Sequence, residues 1–249
     1  MRRLCESFLF AIVAAGMAHA APPLITEDTG TQGKGVLQFE VTVQQARESR
    51  PGASYDGTET SVVLNYGLAD NLDLQFVVPH LRVTEDGAAG RTVTDGFADA
   101  FVNVKWRFYA RDALSVAFMP GIIMPTGADG LSTERVNLRA LLITSYEPGA
   151  LGLHAHAGYR YFANVQGLRE HLYQLSGAAM YTIYERLKLL LDYSFETNPD
   201  PAFSGTLRYA TVGAIWAVAP GYGLGCGVKQ GYGEGAIDRA YLCGVGMRQ

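Results

Sequence analysis

The chain has 249 residues and a formal net charge of −4, so no basic excess argues for nucleic acid as a partner. Only 18% of residues are charged and 48% are hydrophobic, with 29 Gly and 14 Tyr, a balance suited to a β-protein with many turns and interfacial rings. Composition goes no further than that.

Residues 1–20 read as a cleavable export signal. Arg2 and Arg3 supply the positive start, Phe8 to Met17 an apolar Ala-rich run, and Ala18-His19-Ala20 a small-x-small cleavage site ahead of Ala21-Pro22-Pro23. Cys5 precedes the apolar run and leaves with it. The run is too short to anchor as a spanning helix, and no later stretch reaches the ~18 consecutive apolar residues such a helix needs. Export without a helical anchor leaves a soluble exported protein or an outer-membrane barrel. Residues 21–35 follow, rich in Gly, Thr and charge. They form either a segment folded into or beneath a lumen or a periplasmic tail.

Period-two alternation begins at residue 37. Leu37, Phe39, Val41 and Val43 alternate with Gln38, Glu40, Thr42 and Gln44, which gives a strand one apolar face. Val62, Leu64, Tyr66 and Leu68 then oppose Ser61, Asn65 and Gly67, and Leu72, Leu74, Phe76 and Val78 oppose Asp73 and Gln75. Ala98 through Phe108 alternates with Asp99, Asn103, Lys105 and Arg107. Further strands are expected near 113–124, 134–146, 151–162, 171–184, 187–197, 206–218, 222–230 and 238–248. The total is about twelve, and bacterial barrels have even strand numbers.

A soluble sandwich shares this alternation, so three other features decide. Most candidate strands run about 9–13 residues, the reach of a tilted membrane strand rather than the shorter globular norm. Tight links at 69–71, 110–112, 147–149 and 185–186 alternate with longer ones near 47–57, 84–96, 125–133, 163–170, 198–205 and 231–237. An up-and-down barrel has that asymmetry, with short periplasmic turns and longer outer loops. Tyr66, Trp106, Phe108, Tyr109, Tyr146, Tyr181, Tyr184, Trp216 and Tyr222 lie near the tight-turn strand ends. Tyr159, Tyr161, Phe162, Tyr173, Tyr193, Phe195 and Tyr209 lie near the other ends, completing two interfacial girdles. In hydrocarbon every backbone amide must be paired within the protein, and a closed sheet achieves this with its apolar face turned to lipid.

The polar face would then line the lumen. Its candidates are Asp99, Lys105, Arg107, Arg135, Arg139, His154, His156, Arg160, Lys188, Asp192, Glu196 and Lys229. Charges of both signs tune selectivity in an open channel and pair to fill a plugged one. About twelve strands fall between a filled eight-stranded barrel and a wide porin. His154 and His156 share one strand face, but two imidazoles without a third ligand make no metal site. No nucleophile, base and orienting acid are placed together as in an outer-membrane lipase, so no catalytic residue is expected and the chain does not read as an enzyme. Gly221, Gly223, Gly225 and Gly227 precede no helix, which excludes a phosphate loop and leaves strand curvature or lumen space as their use. Cys226 and Cys243 sit on the last two strands, where the hairpin register could pair them as a disulfide.

The stretch Thr26-Glu27-Asp28-Thr29-Gly30-Thr31-Gln32-Gly33-Lys34-Gly35, followed by a strand carrying Gln38 and Glu40, resembles the opening of proteins grouped as the "MetA-pathway of phenol degradation" family. Three further stretches fit: Tyr66 to Leu74, Asp99 through Phe108, and Met124-Pro125-Thr126-Gly127. The resemblance implies an outer-membrane barrel with a role in moving small compounds, aromatic ones among them, and transfers no catalytic residue. One departure stands out. Gln249 occupies the end of the chain, where barrels usually carry an aromatic.

The expectation is therefore an all-β, up-and-down antiparallel transmembrane barrel over 36–249, in the bacterial outer membrane. Its contacts are membrane lipid and a small-molecule solute, and nothing calls for a cofactor or a metal. The leading function is a channel or transporter for small molecules. The alternative is a filled-lumen structural or surface-contact protein, and the oligomeric state is not specified.

Overall fold

The computed structural model describes residues 23–249 apart from Pro51, Ala89 and Ser204. The expected signal, Cys5 included, lies outside the described residues. There are thirteen strands among the described residues and no helix. They are β1 (Leu37–Arg50), β2 (Ala53–Ala69), β3 (Leu72–Gly87), β4 (Gly90–Phe97), β5 (Ala100–Arg111), β6 (Leu114–Met124) and β7 (Asn137–Tyr146). The remainder are β8 (Leu151–Tyr161), β9 (His171–Tyr184), β10 (Leu187–Thr197), β11 (Thr206–Ala219), β12 (Tyr222–Tyr232) and β13 (Arg239–Arg248).

Neighbours in sequence pair antiparallel, and β13 returns to β1 along Gln38↔Arg248 to Arg47↔Arg239. The sheet is thereby closed and has no edge within the lipid span, as a membrane wall requires. Gln249 takes part in the closure. Its N–H donates to Leu37 O at 2.9 Å, and its carbonyl accepts from Leu37 N at 3.1 Å. The backbone seam between β13 and β1 therefore runs on through Gln249.

Alternation sets the two faces. On β8, Leu151, Leu153 and Tyr159 are exposed while His154, His156 and Arg160 are buried. Leu, Val, Phe and Tyr face outward on the other strands in the same way, as expected where lipid is the solvent. The seven aromatics Tyr66, Trp106, Phe108, Tyr146, Tyr181, Trp216 and Tyr222 all project outward near the tight-turn rim. At the opposite rim Tyr159, Tyr173, Tyr193 and Phe195 are also outward, but Phe162 and Tyr209 are fully buried and face the interior. They pack in interior apolar clusters, so they leave the girdle.

Two expected loops are strands. Segments 47–57 and 84–96 are paired to their tips, at Arg50↔Ala53 and Gly87↔Gly90. Their outward positions (Gln45, Arg47, Asp56, Arg82) are polar, so the apolar stripe that marks the lipid span stops there. The strands continue beyond the membrane, where both faces meet water or protein, and alternation loses its contrast. The strand expected at 98–108 is β5, which starts at Ala100. β3 pairs with β5 over Leu72–Val77 and with β4 over His80–Gly87, with Ala98 and Asp99 between. All strands but β4 close the barrel, which makes the twelve-stranded wall, and β4 is an extra strand above it. Ala98 turns inward into the core.

Candidate functional site

The lumen is crossed by residues 23–34, the segment left undecided between a lumen insert and a tail. It begins against β11 and β12, where a Cβ on Gly213 or Gly227 would lie 2.6 or 2.7 Å from Pro23 Cγ. The glycines of the last hairpin thus leave space for the segment, as well as easing the strands. The chain then sweeps around the wall. Ile25 N and Thr26 N donate to Asp192 Oδ2 at 2.9 and 2.7 Å. Thr26 Oγ1 bonds Ser176 Oγ at 3.0 Å, and Glu27 N donates to His156 Nδ1 at 3.0 Å. Thr29 N donates to Ser145 Oγ at 3.0 Å, and its hydroxyl meets Ser115 Oγ at 2.6 Å. Gln32 N donates to both Asp73 oxygens, at 3.1 and 2.9 Å.

The wall therefore holds the segment through its backbone. A peptide crossing the lumen exposes N–H groups that no sheet satisfies, and side-chain acceptors on four barrel strands, Asp192 on β10, His156 on β8, Ser145 on β7 and Asp73 on β3, supply the partners. The segment contributes one ion pair, Glu27 Oε2 to Lys105 Nζ at 2.8 Å, and Lys105 also donates to Asp28 O at 3.2 Å. Gly33 and Gly35 adopt φ of 88° and 79°, the left-handed conformation that glycine enters without steric cost, and turn the chain out of the lumen into β1.

Most of the expected lumen residues are buried inside. Asp192, Glu196 and Lys229 are closed to solvent, with Glu196 accepting from Gln174 Nε2 at 3.0 Å and Lys229 donating to Gln44 Oε1 at 2.7 Å. Arg139 and Arg160 oppose each other across β7 and β8, stacked over Phe101 at 5.8 Å and Phe162 at 4.7 Å. His154 bonds Ser145 Oγ at 2.9 Å, and His156 lies within 3.2 Å of Ser176 Oγ. Asp99 is buried as well, but at the outer mouth: it accepts from Gly127 N, Thr133 N and Thr133 Oγ1 and pins the 125–136 segment.

Three assignments change. Arg135 is exposed, because β7 starts only at Asn137 and the residues before it form a turn in which Thr133 Oγ1 donates to Arg135 O. Lys188 has the inward parity but is exposed, since it lies at the tight-turn mouth. Arg107, at the same rim, is half-buried and caps Asp70 O at 3.1 Å. The small hydroxyls Ser115, Ser145 and Ser176 were not anticipated. Their signal was available: each is a small polar residue at an inward strand position, where a larger side chain would block the segment.

The outer half of the lumen holds an apolar cluster beside the buried charges Glu48, Glu59, Arg160, Glu196 and Lys229. Ile25 packs with Tyr55, Leu81, Val83, Leu131 and Ile237, the last two brought in by the 125–136 and 233–238 connections. At the tight-turn end a polar cavity of about 220 Å³ lies between the segment and β1–β3. Neither Cys226 nor Cys243 faces the lumen. They are directly opposed on β12 and β13, disulfide-bonded with Cα atoms 4.1 Å apart, on the outward face.

Residues 22–240 match the family described as "Putative MetA-pathway of phenol degradation". The chain belongs to this family. No curated protein matches it significantly. Among solved structures, this family member is similar to an outer membrane channel from Pseudomonas putida F1, at 15% identity and TM-score 0.73, covering 93% of this chain and 100% of that one. It is also similar to the translocator domain of autotransporter NalP from Neisseria meningitidis, at 14% identity and TM-score 0.56, covering 87% and 89%. A third is the KdgM porin in complex with disordered oligogalacturonate, at 11% identity and TM-score 0.54, covering 84% and 98%. At these identities the likeness is one of fold, and it makes this phenol-degradation family member an outer-membrane β-barrel.

Proposed function

We propose that this protein is an outer-membrane channel for small molecules, aromatic ones included, held closed by its own N-terminal segment. The observation that carries the proposal is the crossing of the lumen by residues 23–34 through backbone-to-wall hydrogen bonds. A passage is obstructed by a peptide that can leave without unfolding any strand of the wall. The aromatic and aliphatic side chains packed at the outer end, Tyr55, Leu81 and Ile237 among them, support passage of aromatic solutes on that side. The solute bound in the porin relative and the channel title of the Pseudomonas relative support passage of solutes as a class.

The protein acts as a passage and not as an enzyme. Its Ser–His pairs, Ser145–His154 and Ser176–His156, accept backbone N–H groups of the segment, which occupies the side a substrate would need. The second reading, a filled-lumen structural protein, is favoured by the apolar closure of the outer mouth.

Planar-bilayer recording of the refolded chain beside a variant lacking residues 23–33 separates the two. The channel reading expects higher conductance, and faster uptake of small aromatic acids into liposomes, for the deletion variant. A folded deletion variant that neither conducts nor admits solute supports the filled barrel and overturns the channel.

A further inference from the structure

The polar cavity at the tight-turn end is a site the transport reading does not use. Its volume is about 220 Å³, far above the ~10–15 Å³ that one water requires. Carboxylates outnumber cations in its lining, with Glu27, Asp28, Glu40 and Asp73 against Lys105 and Arg248.

Each cation is already engaged, Lys105 with one oxygen of Glu27 and Arg248 with a backbone carbonyl. Lys105 donates to Glu27 Oε2 and Asp28 O, and Arg248 donates to the Gln32 carbonyl at 2.6 Å. The acids are less well served. Glu40 Oε1 accepts from the neutral amide of Gln38 at 2.5 Å, and Asp28 Oδ1 from Gly30 N at 2.7 Å. Glu27 is fully buried, and its Oε1 has no hydrogen-bond partner. A buried carboxylate oxygen without a donor carries the full cost of its desolvation, and a donor entering the cavity removes that cost.

We infer that this cavity binds a small organic ammonium ion, such as a short aliphatic amine or diamine, against Glu27, Glu40 and Asp28. The geometry favours an ammonium over a metal ion. Among the described residues no three His, Cys, Asp or Glu side chains are gathered closely enough to chelate one. The acids are instead spread around a roomy, carboxamide-rich wall that includes Asn65 and Gln75, which suits several N–H donors on one flexible ligand.

The site has a consequence for the segment above it. Glu27, Asp28 and Gly30 to Gln32 belong to the crossing segment, while Glu40 and Asp73 belong to the wall. The cavity is complete only while the segment is seated, so an amine bound there stabilises the seated state by linkage.

The test is isothermal titration of the refolded mature chain in detergent, at constant ionic strength, with putrescine, calcium chloride and tetramethylammonium chloride in separate arms. Saturable one-to-one binding of putrescine is expected, with tetramethylammonium, which has no N–H donor, failing to compete. Glu40→Gln should weaken putrescine by at least about tenfold, the loss expected for one charge-assisted hydrogen bond. Asp28→Asn, on the segment, should weaken it likewise and serves if the wall variant does not fold. Putrescine should also slow proteolysis of residues 23–34 in the native chain. Absence of putrescine binding at millimolar concentration, wild-type affinity in both variants, equal binding of tetramethylammonium, or binding of calcium alone would each overturn the inference. None of these readouts depends on conductance, so the site stands or falls separately from the channel.

Discussion

Asp192 is the strongest single anchor of the crossing segment, and its removal tests the closed-channel reading most directly. Its Oδ2 accepts two backbone N–H groups, from Ile25 at 2.9 Å and Thr26 at 2.7 Å, and the residue is closed to solvent. A hydrogen bond to a charged group contributes about 1.5–3 kcal/mol. Asp192→Ala removes two and leaves two N–H groups facing a small hole. Water entering that hole recovers part of the loss, so the lower end of the sum, about 3 kcal/mol, is the working figure. At about 1.4 kcal/mol per tenfold, the ratio of unseated to seated segment rises roughly a hundredfold. Single-channel recording reads this as occupancy of the high-conductance state, and labelling of a cysteine placed at Thr26 reads it without current. Asp192→Asn keeps an acceptor oxygen and should shift the ratio much less. A folded Asp192→Ala protein whose open-state occupancy and labelling rate stay within about twofold of wild type would refute the reasoning, because the anchoring bonds would then not control the segment.

Two further predictions follow from named contacts. The Glu27–Lys105 pair is 2.8 Å long and largely buried, so Lys105→Met alone should destabilise the seated segment by about 3–5 kcal/mol, whereas Glu27→Leu with Lys105→Met should recover most of it; strictly additive losses in a double-mutant cycle on labelling rate would exclude direct coupling. The Cys226–Cys243 bridge closes a loop of 17 residues, so Cys226→Ala with Cys243→Ala should lower barrel unfolding stability in detergent by about 3 kcal/mol without changing conductance; an unchanged urea midpoint would count against the bridge.

Much of the wall was legible because lipid and lumen impose opposite demands on adjacent residues. Leu187–Thr197 is a case where the expected and observed strand coincide, since Leu189, Leu191, Tyr193 and Phe195 meet lipid while Asp192 and Glu196 turn in. The tips of β1 to β4 were illegible for the converse reason: above the lipid, Arg47, Asp56 and Arg82 can face water, and the contrast disappears. The lumen was half legible. Parity identified Lys105, His156 and Asp192 as inward, but parity carries no depth, so Lys188 was assigned inside when it sits at the mouth. Arg135 was assigned to a strand that Asn137 begins.

The sequence by itself determined that this chain closes into a membrane wall of about twelve strands, and which side chains point in along the lipid span of strands such as β8 and β10. Those facts rest on a local rule, alternation against two solvents, and on turn lengths that can be read one link at a time. Only the tertiary structure decided what the lumen contains. The path of residues 23–34 past Gly227, Asp192, Ser176, His156, Ser145, Lys105 and Asp73 pairs one short segment with residues up to the far end of the chain. No period within the segment announces those partners, because its backbone donors are common to every residue and the acceptors are brought together only when the barrel closes.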